Sequence, residues 1–259
     1  MFIEERHQAI LDWLASKGSI TNADIQDAFG VSYDSAKRDL RILEEKGLLK
    51  RTHGGALPLR QVAAGRPSGK TIRDIDQVRD NYLAIAKKAV SMIRNQDVIY
   101  LPSATVGLFM AQNLPDHLYL RVVTNSIFIA AELRGREKIS VILLGGEMDS
   151  HGNCYDAIAV ETIRRLRLDK CFLTSACITA SFGLSIQKTQ AISFFNALLD
   201  SAKSSIGLYP KEKIGFDAIV SICPASRLDT LITDWDASEE DLKQFDELGI
   251  DVIVVEKED

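Results

Sequence analysis

Apolar residues recur along the chain with a helical period over the first fifty positions. Ile3, Ile10, Leu11 and Leu14 share one face with His7, and Lys17-Gly18 supplies a basic last turn followed by a glycine stop. Thr21 is placed to cap a second helix, whose short apolar face of Ile25, Ala28 and Phe29 stops at Gly30. Ser32 caps a third, in which Ala36, Leu40 and Leu43 point inward and which Gly47 ends. Two short helices joined by Gly30-Val31-Ser32 have the dimensions of a helix-turn-helix. Leu48-Leu49-Lys50-Arg51-Thr52 then reads as a strand, His53-Gly54-Gly55 as a tight turn and Ala56-Leu57 as its return. A hairpin directly after the third helix makes the first 57 residues a winged helix.

Between positions 58 and 73 periodicity is lost. Two prolines, glycine and paired alanines without an acidic residue read as a linker. From residue 74 to 259 strand-like and helical patterns alternate. The sequence predicts strands at Asp97–Leu101, Tyr119–Val123, Ile139–Leu144, Lys170–Leu173, Ser205–Leu208, Ala218–Ile222, Thr230–Ile232 and Asp251–Val255. A helix carrying Tyr82, Ile85, Ala86, Ala89, Val90 and Ile93 comes first, and others follow at Gly107–Asn113, Ile127–Arg134, Asp156–Leu166, Thr189–Ala202 and Glu239–Leu248. Such alternation implies a large α/β domain with a mainly parallel sheet covered on both faces.

Charge separates the two parts. The 259 residues carry a formal net charge of −5, which taken whole argues against a polyanion partner. Residues 1–73 hold 12 basic against 9 acidic side chains, +3, and the remainder is −8. From Lys46 to Arg73 there are seven basic residues and no acid. The outward face of the third helix carries Tyr33, Asp34, Ser35, Lys37, Arg38 and Arg41. That stripe serves equally as a solvated surface or as one that reaches base edges and phosphates. The basic hairpin beside it shifts the balance to DNA, with Ser32, Lys50, Arg51, His53 and Gly54 completing the candidate interface.

In parallel sheets ligands lodge beyond the carboxyl ends of the strands, so the loops there are the candidate effector site. Pro102-Ser103-Ala104-Thr105 brings hydroxyls to a helix start, as does Thr124-Asn125-Ser126 one strand later. Gly145-Gly146-Glu147 allows close backbone approach. Each loop alone is an ordinary cap or turn, and their recurrence after consecutive strands is what singles them out. The first residues mix charge, and no apolar run of about 18 residues follows, so the expectation is a cytoplasmic chain without signal peptide or membrane span. Four cysteines without Cys-x-x-Cys spacing, and His151 with Cys154 lacking a second pair nearby, predict buried or loop thiols and no metal site. No cofactor is expected.

Glu5-Arg6-His7-Gln8, Val31-Ser32, Arg38-Asp39-Leu40 and the run Gly47 to Ala56 together resemble the DeoR family of bacterial transcriptional regulators. Val123-Thr124-Asn125-Ser126, Leu144-Gly145-Gly146-Glu147, Asp169-Lys170-Cys171-Phe172 and a Phe182-Gly183-Leu184 turn resemble the sensor domain of the same family. That domain is similar in fold to ribose-5-phosphate isomerases and coenzyme A transferases and usually binds a phosphorylated sugar. The resemblance implies a repressor of a carbohydrate-catabolic operon, working on double-stranded operator DNA as a homodimer or homotetramer. Asp39, unusual on a surface meant for DNA, is expected to turn inward onto an arginine or an N–H group. Two departures stand out. The family's Asp-Ser-Gly-Thr-Thr is here Pro102-Ser103-Ala104-Thr105-Val106, without the carboxylate, and late in the domain Lys213 keeps the family's lysine without its preceding aspartate. Ser103, Thr105 and Lys213 remain to hold a phosphate. The alternative is a sugar-phosphate isomerase or transferase with an accessory helical module, for which Glu147, Asp149, His151 and Asp169 are the acid/base candidates.

Overall fold

The computed structural model describes residues 3–58 and 79–257 and divides into two units, Met1–Gln61 and Val62–Asp259. Apart from Pro58, the expected linker lies outside the described residues, as do its basic residues Arg60, Arg66, Lys70 and Arg73.

The first unit contains α1 (Ile3–Lys17), β1 (Ile20–Thr21), α2 (Asn22–Phe29), α3 (Tyr33–Glu45), β2 (Leu49–Arg51) and β3 (Gly55–Pro58). Its caps are the ones the sequence announces. Thr21 accepts from Asp24 N while Asp24 accepts from Thr21 N, a reciprocal box, and Gly30 closes α2 in the left-handed conformation at φ 63°. Ser32 accepts from Ser35 N at the head of α3. Ile10, Leu14, Ile20, Ile25, Leu40, Leu43 and Leu49 fill the core. The pattern did not foretell β1, a two-residue strand that pairs antiparallel with β3 and makes the wing three-stranded, in the order β1-β3-β2. Gly55 is required there, because a Cβ would stand 2.0 Å from the Ile20 carbonyl oxygen.

Asp39 turns away from the exposed face of α3, as expected. It is 3% exposed, accepts from Arg6 Nε at 2.7 Å and Nη2 at 3.1 Å, and lies 3.2 Å from His7 Nε2. The pair fastens α3 to α1, and its hydrogen bonds raise the Arg6 pKa above the ordinary guanidinium value.

The second unit is built on seven parallel strands in the order β13-β12-β10-β7-β4-β5-β6. They are β4 (Val98–Tyr100), β5 (Leu120–Thr124), β6 (Ile139–Leu143), β7 (Lys170–Leu173), β10 (Ser205–Leu208), β12 (Thr230–Thr233) and β13 (Asp251–Val254). On one face α4 (Arg79–Ser91), α5 (Thr105–Asn113) and α6 (Ile127–Glu132) bury Ile85, Met110 and Ile129 against Ile99, Val122 and Phe172. On the other, α7 (Ala157–Arg164), α8 (Ile192–Ser201) and α9 (Glu239–Asp246) bury Ile163, Phe194 and Phe245 with Tyr100 and Leu173. This is the mainly parallel, doubly covered α/β architecture anticipated.

Two details correct the sequence reading. The strand expected at Ala218–Ile222 is β11 (Val220–Cys223) and belongs to a separate antiparallel sheet, β11-β9-β8. The turn expected at Phe182-Gly183-Leu184 is met at Phe182, which ends the turn between β8 (Cys177–Thr179) and β9 (Gly183–Ile186), while Gly183 and Leu184 belong to β9. Both strands are mostly buried and so lack the alternation that marks a half-exposed strand.

Removing the carboxylate of Asp39 leaves Arg6 without its partner in a nearly dry site. Asp39→Ala is expected to destabilise the winged-helix unit by about 3 kcal/mol, seen as an earlier transition in chemical denaturation followed by Trp13 fluorescence in the full chain carrying Trp235→Phe.

Candidate functional site

On the winged-helix unit, Ser32, Tyr33, Asp34, Lys37, Arg38 and Arg41 are exposed and Ser35 half-buried. They share the face of α3 opposite Ala36, Leu40 and Leu43. Lys37 Nζ rests 4.9 Å from the centroid of the Tyr33 ring, and Arg41 reaches Glu45 at 3.8 Å across open solvent, a pairing that contributes little. The wing presents Lys50, Arg51, His53 and Gly54 to solvent. Its stem is tied to α3 by Glu44, which accepts from Arg51 N at 2.9 Å and faces Arg51 Nε at 3.7 Å.

Between α3 and the wing lies a cleft of about 430 Å³, lined by Asn22, Lys37, Leu40, Glu44, Arg51, Thr52, His53 and Gly55. Asn22 is 4% exposed and its carboxamide oxygen has no hydrogen-bond partner. Sequence reasoning missed it, because an asparagine in the first turn of a helix is unremarkable until the wing folds beside it.

In the second unit the chain proceeds from β4 through β5 to the β6 edge and returns to β7 on the other side of β4. The carboxyl ends of β4 and β7 thus flank the switch point of the sheet. Ser103 and Thr105 follow β4. Ser103 Oγ lies 2.6 Å from the Tyr155 hydroxyl, and burial holds that phenol above its usual pKa despite the bond to Ser103. Helix α5 begins at Thr105 with Ala104 as its N-cap, so no side chain caps its first N–H groups. Thr174 follows β7, and Lys213 Nζ donates to its hydroxyl at 3.0 Å. The loop carrying Lys213 is braced by Asp234, fully buried after β12, which accepts from Lys211 N at 2.9 Å. Thus Ser103 and Lys213, 110 positions apart, each engage a residue of this edge, with Tyr155, Thr174 and Asp234 as members that no sequence pattern marked.

The other two candidate loops differ in exposure. Thr124, Asn125 and Ser126 are buried, and Asn125 spends both ends of its carboxamide, accepting from Tyr100 Oη at 2.8 Å and donating to the Cys154 carbonyl at 3.0 Å. Gly145, Gly146 and Glu147 are exposed. The close approach that Gly146 permits is made by the chain's own Asp156: a Cβ there, at φ 136°, would stand 2.2 Å from its carboxylate. Asp156 accepts from Glu147 N at 2.7 Å and from Ile158 N and Ala159 N at the head of α7, bonds that lower its pKa. Of the acid/base candidates, Asp169 lies just before β7, at the amino ends of the strands and away from their exits, paired with Lys203 at 2.7 Å. Asp149 accepts from His151 N and Asn153 N within its own loop. Among the described residues no three His, Cys, Asp or Glu side chains gather as a metal site, and no helix is long and apolar enough to cross a membrane.

Residues 6–62 match the DeoR-like helix-turn-helix domain and residues 79–235 the DeoR C terminal sensor domain. The chain belongs to the DeoR family. The HTH-type transcriptional repressor GlcR of Bacillus subtilis is 30% identical over 261 residues, covering 100% of this chain and 99% of the relative. The glycerol-3-phosphate regulon repressor of Escherichia coli is 27% identical over 232 residues, 89% of this chain and 90% of the relative. Among solved structures, ribose 5-phosphate isomerase a from Methanocaldococcus jannaschii has a TM-score of 0.39 at 15% identity, over 52% of this chain and 54% of that one, a likeness too slight to argue from.

Because three backbone N–H groups stabilise the ionised Asp156, its folded pKa lies below the unfolded value of 3.8, and the stability it lends is present above that value. That contribution is lost as pH falls through the folded pKa. Asp156→Asn is therefore expected to flatten the acid limb of stability against pH, measured by denaturant midpoints between about pH 5 and pH 2.

Proposed function

We propose that the protein is a DNA-binding transcriptional regulator, a repressor of a carbohydrate-catabolic operon, whose affinity for its operator is set by a small phosphorylated metabolite held in the larger unit. The observation that carries this reading is the exposed basic face of α3, with Lys37, Arg38 and Arg41, beside a wing bearing Lys50, Arg51 and His53. In this reading α3 enters the major groove. Ser32, Tyr33, Asp34, Ser35 and Arg38 approach base edges from its N-terminal half, and Lys37 and Arg41 neutralise phosphates. Lys50, Arg51, His53 and Gly54 lie along the backbone of the duplex, and Asn22 faces it from the cleft between helix and wing.

For the effector, Ser103, Thr105 and Lys213 supply hydroxyls and a cation for a phosphate beside the start of α5, with Ala104, Thr174 and Tyr155 completing the wall. The buried Thr124, Asn125 and Ser126 support this wall from below, and Gly145, Gly146 and Glu147 form its rim. A relative named for a glycerol-3-phosphate regulon supports a phosphate ester as the class of ligand. With Pro102 in place of the family's carboxylate, the sugar hydroxyls are recognised differently from the family pattern. Since one winged helix covers few base pairs, the working form is a homo-oligomer that reads two half-sites in the cytoplasm. The alternative, an isomerase or transferase, is disfavoured by the scatter of its acids, with Asp169 at the amino ends of the strands and Asp149 engaged in its own loop.

With an operator selected from random-sequence DNA by the wild-type protein, the Arg38→Ala, Arg41→Ala double variant is expected to bind more weakly and to lose about two units of salt slope, while its thermal response to ligand is retained. Unchanged DNA affinity would remove the recognition-helix assignment. In a thermal-shift panel of sugar phosphates, the ligand that raises the wild-type melting temperature is expected to lose its effect on Ser103→Ala and Lys213→Ala, whose DNA binding persists.

A further inference from the structure

Strand β6 ends the seven-stranded sheet, and among the described residues no strand pairs with its outer side. Edge strands of proteins that stay monomeric are normally guarded by a charge, a proline or a bulge. β6 reads Ile139-Ser140-Val141-Ile142-Leu143, holds none of the three, and runs in regular register beside β5 over all five residues. Leu143 is 46% exposed, and nearby on α6 and the loop after β6 stand Phe128 at 60% and Met148 at 53%.

The charges around this strand are asymmetric. Before it come Arg134, Arg136 and Lys138 with Glu137. Arg136 is balanced by Asp116, and Lys138 lies over the Tyr119 ring. After it come Glu147 and Asp149. The opposite edge, β13, has Glu247 and Asp251 at its start and Glu256 with Lys257 at its exit. Antiparallel pairing of a strand with its own copy brings the start of one against the exit of the other. For β13 that sets acid mainly against acid; for β6 it sets base against acid.

We propose that β6 pairs antiparallel with β6 of a second copy across a two-fold axis at Val141, joining the two sheets into one. The arrangement is isologous, so Leu143 of each copy lies opposite Ile139 of the other and Lys138 approaches the acidic exit that carries Glu147. The proposal rests on the reading of a regulator that works as a homo-oligomer, and adds which surface joins the copies and why.

The test is sedimentation velocity of the full chain at micromolar concentration. Wild type is expected as a dimer or an even multiple of it. Val141→Lys, which sets two ammonium groups on the axis, is expected to halve that mass. Lys138→Glu is expected to weaken association about tenfold at low salt, and adding Glu147→Lys to the same chain to restore it. Val141→Cys adds no charge, is smaller than the native side chain and places two thiols face to face. All four native cysteines are buried, so mild oxidation is expected to give a single inter-copy disulfide. A wild-type monomer would overturn this proposal together with the oligomer reading. A wild-type oligomer whose mass Val141→Lys leaves unchanged, and which Val141→Cys fails to cross-link, would overturn the β6 interface alone.

Discussion

A parallel strand cannot reach its neighbour through a tight turn, so every parallel connection must cross a face of the sheet and cover it. Seven such strands oblige the larger unit to be apolar on both sides, and the two buried clusters around Phe172 and Phe194 are the outcome. The same rule gathers all strand exits on one edge. Because β4 lies between β5 and β7, the connection from β6 to β7 reverses the direction of travel, and two exits face one another without an intervening crossover. Ser103 and Thr174 owe their positions to that reversal, and Lys213 owes its approach to the loop that leaves β10.

Polar groups inside these layers are compensated with few exceptions. Asn125 meets Tyr100 and Cys154, Tyr209 meets Ser175, and Asp234 accepts two backbone N–H groups. A buried hydroxyl or amide left unpaired costs about 1–3 kcal/mol, so these bonds fix the strand-end loops as firmly as the apolar packing fixes the strands. Among the exceptions are the Thr233 hydroxyl in the larger unit and Asn22 in the smaller one. The uncompensated oxygen of Asn22 lies in the unit assigned to DNA, where a local cost offset by binding is tolerable.

Much of this was legible in the chain because the signals are local. Thr21, Gly30 and Ser32 bound α2 and α3 within a residue of the expected limits, and Ser205–Leu208 is a strand with the limits anticipated. Asp39 could be read inward because a carboxylate facing phosphates is unfavourable. What escaped was set by distant partners. β1 exists only because β3, more than thirty residues later, lies beside it, and β8 with β9 are too deeply buried to alternate. The same holds for the site. Ser103 could be picked from its loop and Lys213 from the family resemblance, whereas Tyr155, Thr174 and Asp234 lie near them through strand order, which no local pattern encodes. Gly146 was read as a point of close approach for a ligand, and in the structure the group beside it is Asp156 of the same chain.

The third strand of the wing has a consequence for recognition. A two-stranded hairpin standing alone is marginal in water and must be ordered when it meets a ligand. Here β1 clamps β3 from the side opposite β2, at a spacing only Gly55 allows, and Glu44 holds the base of β2. The wing therefore meets its partner already ordered. Little conformational entropy remains to be lost on docking, so modest charge on the hairpin can be spent on affinity rather than on folding it.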